Sequence, residues 1–341
     1  DMIDFLIVGH GLAGSVLARM LMKRGYRVMV LDDRSRHSAS RVAAGLINPL
    51  IGPKFNFPLH IENCLTESEN FFRSIEKETG CSLYEKFHLH RIFVSANQRK
   101  LWLKKSQNFA FRRYAQSVQT EKECEKTGIE APLGAGTQLA YRLNFNRFLE
   151  QSEQILRAAT SWLDGSFDQK DWNEAKKIVF CEGYQVQQNP WFGHLPFAPA
   201  QGEILLMENC LSQAASNGTW VVPENKDRCL AGSTWKHDDL ESGPTEEGKQ
   251  QILENLPLLN KITPRIIDHR SGIRPSTRDR SPILGRHRKN EKMFLFNGFG
   301  SRGATTIPFY AKHMMNFMIN EAPLPMEADL KRFEKNETLT R

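Results

Sequence analysis

The sequence has no stretch near the roughly 18 consecutive apolar residues that a bilayer-crossing helix needs, so no membrane span is expected. Its six cysteines, Cys64, Cys81, Cys124, Cys181, Cys210 and Cys229, form no C-x-x-C pair and have no histidine at metal-ligand spacing. A zinc or disulfide framework is therefore disfavoured, no metal is expected, and reduced, mostly buried thiols are the expectation. No internal repeat and no low-complexity tract is present. No Ser/His/Asp or paired-carboxylate constellation stands out either, which argues against side-chain nucleophilic or hydrolytic chemistry. The start, Ile3 to Val8, reads as a strand and lacks the basic, apolar, small order of a secretory signal, so a cytoplasmic location is the expectation.

What is present is ordinary in bulk and uneven in detail. The 341 residues are enough for one large core or for two lobes sharing one, at 40% hydrophobic and 25% charged content. The 46 basic against 39 acidic residues leave +7, and the excess clusters. Arg99, Lys100, Lys104, Lys105, Arg112 and Arg113 fall in a stretch without an acid that also carries Trp102, Phe109 and Phe111; a second arginine-rich stretch runs from Arg265 to Arg288. The first reads as a solvated helix face or as a surface turned to a polyanion.

Hydrophobic spacing places a strand at Ile3 to Val8, a helix at Ser15 to Lys23 and a strand at Tyr26 to Leu31, a unit that demands parallel strands with a right-handed crossover. Helical patterns recur at Ile61 to Thr79, Asn146 to Ala158, Glu246 to Leu256 and Thr305 to Ile319. Buried-strand runs return at Lys177 to Cys181 and Met293 to Phe296, while Gly202 to Met207, Thr219 to Val222 and Arg228 to Ala231 alternate as an antiparallel sheet does. The expected fold is α/β (α+β): a discontinuous Rossmann-like nucleotide lobe from residues 1–81, 141–193 and 266–341, and an antiparallel-sheet substrate lobe from 82–140 and 194–265.

Gly9-His10-Gly11-Leu12-Ala13-Gly14 sits between the first strand and its helix, and Asp32, followed by Asp33, ends the next strand 23 residues after Gly9. Gly9 permits the tight turn, Gly11 lets backbone approach a pyrophosphate, Gly14 lets helix pack on strand, and Asp32 suits ribose hydroxyls. The fingerprint specifies a dinucleotide without separating FAD from NAD. A second glycine turn, Asn297-Gly298-Phe299-Gly300-Ser301-Arg302-Gly303, opens a helix through Ala304 and Thr305. Together with the early fingerprint it points to FAD, with a helix start and Arg302 aimed at the negative charge of a reduced flavin; a plain loop before a core helix is the alternative.

These segments, with Ser40 to Ile47 (SRVAAGLI) and Ser271 to His287 (SGIRPSTRDRSPILGRH), make the chain resemble the FAD-dependent D-amino-acid oxidase and glycine oxidase superfamily from end to end. The closing G-S-R-G turn, Pro308 and Ala322 to Asp329 (APLPMEAD) are also similar to the FAD domain of bifunctional tRNA 5-methylaminomethyl-2-thiouridine synthesis proteins, whose methyltransferase half has no counterpart in this sequence. The resemblance implies that Gly9, Gly11 and Gly14, with Leu12 and Ala13, hold the pyrophosphate and that Asp32 holds the ribose. It implies that Ala39, Ser40, Ala44, Gly45 and Leu46 line the flavin, whereas composition alone favours core packing for the small residues there. Arg274 would grip a substrate carboxylate through a planar, two-pronged contact. Relatives that attach flavin covalently use a late cysteine or a histidine before the A-A-G stretch; here no cysteine follows Cys229 and Val42 precedes Ala43, so FAD is expected to be noncovalent, and His37 in that loop to be solvent-exposed.

The implied reaction is oxidation of the C–N bond of an amino acid or N-substituted glycine by hydride transfer from the α carbon to flavin N5, giving an imine that water hydrolyses. One alternative keeps the chemistry and moves it to a carboxymethylaminomethyl-uridine of tRNA. Another is a non-amine flavin reductase or a flavin-binding module, against which stands the single dinucleotide fingerprint.

Overall fold

The computed structural model describes residues 2–34, 38–168 and 173–339, so His37 lies outside the described residues. Among these, the strands form two sheets. The first joins β1 (Ile3–Val8), β2 (Val28–Asp32), β7 (Trp162–Asp164), β8 (Ala175–Phe180), β14 (Ile283–Arg286) and β15 (Met293–Asn297) in the order β14-β15-β8-β1-β2-β7. All pairs are parallel except β14 with β15. Its strands read as continuous apolar runs because both faces are covered. On β1, Phe5 and Ile7 enter one core and Leu6 and Val8 the other; on β15, Phe294 and Phe296 oppose Met293 and Leu295 in the same way.

The helices α1 (Leu12–Lys23), α2 (Ile61–Thr79) and α8 (Gly303–Asn320) cover the first of these faces. Pro308 lies inside α8, and a proline removes the N–H that would bond the carbonyl four residues earlier. That carbonyl, Ala304 O, accepts instead from the buried hydroxyl of Ser68 on α2 at 3.2 Å, and Thr305 O from the same hydroxyl at 3.0 Å. The helix start at the cavity is thus tied to its neighbour where Pro308 interrupts its own ladder.

The second sheet contains β3 (Leu46–Ile47), β4 (Tyr84–Ile92), β5 (Ala115–Gln119), β6 (Ala135–Leu143), β9 (Ala200–Glu208), β10 (Ala214–Ser216), β11 (Trp220–Pro223), β12 (Arg228–Gly232) and β13 (Arg265–Arg274). Its order is β13-β9-β12-β11-β10-β4-β6-β3, with β5 also on β6. It is antiparallel except where β10 pairs parallel with β4. Two segments expected in the nucleotide lobe hydrogen-bond into this sheet: β3, through Leu46 and Arg142, and β13, whose Arg274 is in register with Ala200. The remaining helices, α3 (Ala96–Lys105), α4 (Phe109–Arg112), α5 (Glu121–Glu125), α6 (Phe145–Ala158) and α7 (Glu246–Glu254), fill the connections. No helix of the described residues is long and apolar enough to cross a membrane.

The expectation of six separate thiols is corrected at one pair. Cys210, just past β9, and Cys229 on the adjacent β12 are joined as a disulfide, their Cα atoms 6.6 Å apart; Cys64, Cys81, Cys124 and Cys181 are free. The pairing arises from strand adjacency across a separation of 19 residues, which spacing alone does not reveal.

Candidate active site

One cavity of about 670 Å³ opens beyond the C-terminal end of β1, where strand order turns from β8 to β2, and runs to the end of β13. At its base Gly9 takes a φ of +105°, and a Cβ there would lie 2.8 Å from the carbonyl carbon of Cys181. A Cβ on Gly14 would come within 3.0 Å of the Gly9 carbonyl carbon, so helix and turn touch backbone to backbone. Gly11 differs: a Cβ on it would meet nothing within 4 Å, because it faces the cavity. It is the N-cap of α1, with no side-chain cap and no acid in the first turn, so the first N–H groups of α1 remain available to an anion. Leu12 and Ala13 line the same wall.

Asp32 and Asp33 also line the cavity. Asp32 Oδ1 accepts from the His10 N–H at 3.0 Å and Oδ2 from the Arg34 N–H at 3.2 Å; burial pushes its carboxyl pKa up and these two amides oppose that. Asp33 accepts from Gln185 Nε2 at 3.2 Å. Two neighbours escaped the sequence reading. His10, the variable residue of the fingerprint, sets Nε2 3.0 Å from Ser152 Oγ and packs its ring edge on Trp162; burial lowers its pKa to about 4, so it is neutral. Glu182, just past β8, accepts from Asn189 Nδ2 at 2.8 Å, and burial pushes its carboxyl up to about 7, with Asp33 adding to the rise. The only cue for Glu182 in the sequence was its place before Gly183 at a strand end.

Ala39, Ser40, Ala44, Gly45 and Leu46 line the cavity from the side of the second sheet. Gly45 has φ +72°, and a Cβ there would sit 2.9 Å from the Leu143 carbonyl carbon; Arg142 Nε donates to Ala44 O at 3.0 Å and holds the turn. Ala44 also packs with Ile204, Leu206 and Leu230, as core packing of these small residues requires.

The closing turn divides. Phe299, Gly300, Ser301, Gly303 and Ala304 line the cavity, and α8 begins there with no side-chain cap and no acid in its first turn. Gly298, at φ +87°, packs against Thr277 and Pro282, and Thr305 is buried. Arg302 does not line the cavity. Burial lowers its guanidinium pKa. As N-cap of α8 its backbone carbonyl accepts from the Thr306 hydroxyl at 2.9 Å.

Arg274 stands at the other end of the cavity, 5% exposed. Its Nη2 donates to Ser233 Oγ at 2.7 Å, its Nη1 to Thr234 O at 3.2 Å, and its Cζ lies 4.7 Å from the centroid of the Trp235 ring. Burial lowers its pKa to about 10, and among the described residues no carboxylate offsets that cost. A buried guanidinium without a counter-ion needs neutral hydrogen-bond partners, and one that borders a cavity keeps donors free for an anion. Three other arginines of the second stretch are in ion pairs: Arg265 with Glu208, Arg270 with Asp268 and Arg286 with Glu321. In the first stretch Trp102 and Phe111 are core residues while Phe109 is exposed.

The donor set fits FAD: an uncapped helix start and bare glycine for the pyrophosphate, a carboxylate at the end of β2 for ribose, and small residues with a second uncapped helix start along the remaining length. Known proteins agree with that fit. Over 93% of its length the chain is 23% identical to the tRNA 5-methylaminomethyl-2-thiouridine biosynthesis bifunctional protein MnmC of Legionella pneumophila (strain Corby), and it spans 54% of that relative. It is 22% identical to the glycine oxidase of Pseudomonas aeruginosa over 94% of this chain and 95% of that one. Its fold superposes on the crystal structure of glycine oxidase from Geobacillus kaustophilus with a TM-score of 0.77, at 19% identity and 97% coverage of each chain. Residues 4–316 match the DAO family of FAD-dependent oxidoreductases, and the chain belongs to that family.

Proposed function

We propose that the protein oxidises the C–N bond of a small amino acid or N-substituted glycine whose carboxylate is held by Arg274. The observation that carries this reading is the buried, counter-ion-free guanidinium at the end of the cavity opposite the fingerprint. Ser233 and Thr234 fix its plane, so an incoming carboxylate meets two parallel donors and arrives in one orientation. FAD, when bound, supplies the two-electron acceptor that takes a hydride from the carbon next to nitrogen. The chain's part is positional: Arg274 orients the substrate, Trp235 covers the guanidinium face, and no acid or base on the protein is assigned to the step. The α carbon would lose its hydride and the amine nitrogen a proton to solvent water, and water would hydrolyse the resulting imine. Noncovalent FAD belongs to this reading, since Val42 precedes Ala43 and no cysteine follows Cys229.

The test is an anaerobic bleaching screen of the yellow protein with glycine, sarcosine, D-alanine and D-proline, repeated with Arg274→Ala. The substitution is expected to retain FAD and lose bleaching by carboxylate-bearing amines. Unchanged kinetics in the variant would overturn the assignment.

A second reading, the same chemistry on carboxymethylaminomethyl-uridine of tRNA, is favoured by the MnmC relatives and by the basic stretch at Arg99 to Arg113. It requires salt-sensitive tRNA binding, and no retention of tRNA at low salt removes it.

A further inference from the structure

Of the ten large hydrophobic side chains most exposed among the described residues, five gather around α3 and α4: Phe57 at 43%, Leu59 at 61%, Val94 at 61%, Leu103 at 47% and Phe109 at 69%. The three segments that carry them are tied together. Gln98 Nε2 donates to Pro53 O at 3.0 Å, and Lys105 Nζ to Phe55 O at 3.2 Å and to Asn56 Oδ1 at 3.1 Å. Phe57 packs its ring against Phe111 and Tyr114, with centroids 6.4 and 6.0 Å away. Beneath lies a rigid floor in which Trp102 is in edge contact with Phe55 and Phe111 at 4.9 and 5.2 Å. The exposed side chains therefore project from a fixed surface rather than from loose ends. Clustered apolar exposure of this kind marks an interaction site.

The surface is also cationic. Lys54, Arg99, Lys100, Lys104, Arg112 and Arg113 are exposed on the same segments, and neither Asn48 to Ile61 nor Lys86 to Thr120 contains an acid. Among the described residues, two acids reach these segments from outside in ion pairs, Glu62 with Arg113 and Glu327 with His60. Lys105 has its pKa lowered by burial and further by Lys54, which reports the crowding of positive charge.

We infer that this face docks on an anionic lipid surface, its cations meeting the headgroups and Phe57, Leu59, Val94, Leu103 and Phe109 entering the boundary beneath them. A peripheral membrane site needs both components, an apolar set that penetrates and a basic set that is attracted. A single-stranded nucleic acid wants open ring faces for base stacking. Here three of the five exposed side chains are aliphatic, and Arg113 already lies over Phe109, with Cζ 5.5 Å from the ring centroid. The mixture fits lipid better than bases. The inference is independent of which amine the cavity accepts, because the two involve different residues.

The experiment is sedimentation of the FAD-loaded full chain with vesicles of equimolar phosphatidylglycerol and phosphatidylcholine, and with phosphatidylcholine alone. Binding is expected to the anionic vesicles only and to weaken as salt rises from about 50 to about 500 mM. Two double variants, Lys100→Glu with Lys104→Glu and Leu103→Ser with Phe109→Ser, are each expected to weaken it by about tenfold or more while FAD absorbance is unchanged. No binding to anionic vesicles, or binding that either double variant leaves at the parent level, overturns the proposal. So does retention of bulk tRNA that both variants abolish in a protein that ignores vesicles.

Discussion

The guanidinium of Arg274 fills the space that a side chain on Gly202 would need: a Cβ on Gly202 would lie 2.5 Å from Arg274 Cζ. The two residues sit on neighbouring antiparallel strands, where Gly272 pairs with Gly202 and Arg274, two residues on, shares the same face. Gly202→Ala is therefore expected to push the guanidinium off its partners Ser233 and Thr234. Steady-state kinetics with the amine found by the bleaching screen should show kcat/KM lower by about tenfold to a hundredfold with FAD content unchanged. Kinetics equal to the parent would mean that Arg274 does not act from this position.

Asp32 uses its two oxygens to accept the N–H groups of His10 and Arg34, and so stays fixed at the cavity wall. Replacing it by alanine removes a charged acceptor for ribose hydroxyls and loosens the fingerprint turn. Fluorescence titration of apoprotein with FAD should give a dissociation constant raised about tenfold or more, since hydrogen bonds to charged groups contribute about 1.5–3 kcal/mol.

The Glu182 carboxyl titrates at about 7, above its ordinary value of 4.5, because burial disfavours its charge. A group whose folded pKa is raised binds more protons in the native state between those two values. Its contribution to stability is fully present below about pH 4.5 and is lost as pH rises through about 7. The thermal midpoint of the apoprotein should fall across that window, and Glu182→Gln should flatten the fall. An identical slope in both proteins would locate the titrating group elsewhere.

Ser68 satisfies two carbonyls at the start of α8, one of them orphaned by Pro308. Ser68→Ala should lower stability by about 1–2 kcal/mol, read as a drop of a few degrees in Tm. Restoring the helix ladder with Pro308→Ala in the same chain should recover part of that loss; no recovery would separate the hydroxyl from the proline.

The fingerprint was legible because strand, turn, helix and strand are contiguous, and each glycine answers a local need: a positive φ at Gly9, an open face at Gly11, a backbone contact at Gly14. Helix α2 was legible to its last residue, since its apolar spacing stops at Thr79 and Gly80 closes it at φ +72°. Local physics, acting over a few residues, is written in the chain in order.

What only the tertiary structure decided depends on residues far apart in sequence. Arg274 could be singled out, but its partners Ser233 and Thr234, the ring of Trp235 and the space left by Gly202 come from 39 to 72 residues upstream in the chain. The place of Arg302, outside the cavity lining although its helix start borders the cavity, depends on how α8 packs on α2. The strand β13 left the nucleotide segment for the other sheet because its partner is β9. Sequence determined the fingerprint turn; packing decided which side chains line the cavity beside it, since burial and strand pairing are properties of neighbours in space and not of neighbours in the chain.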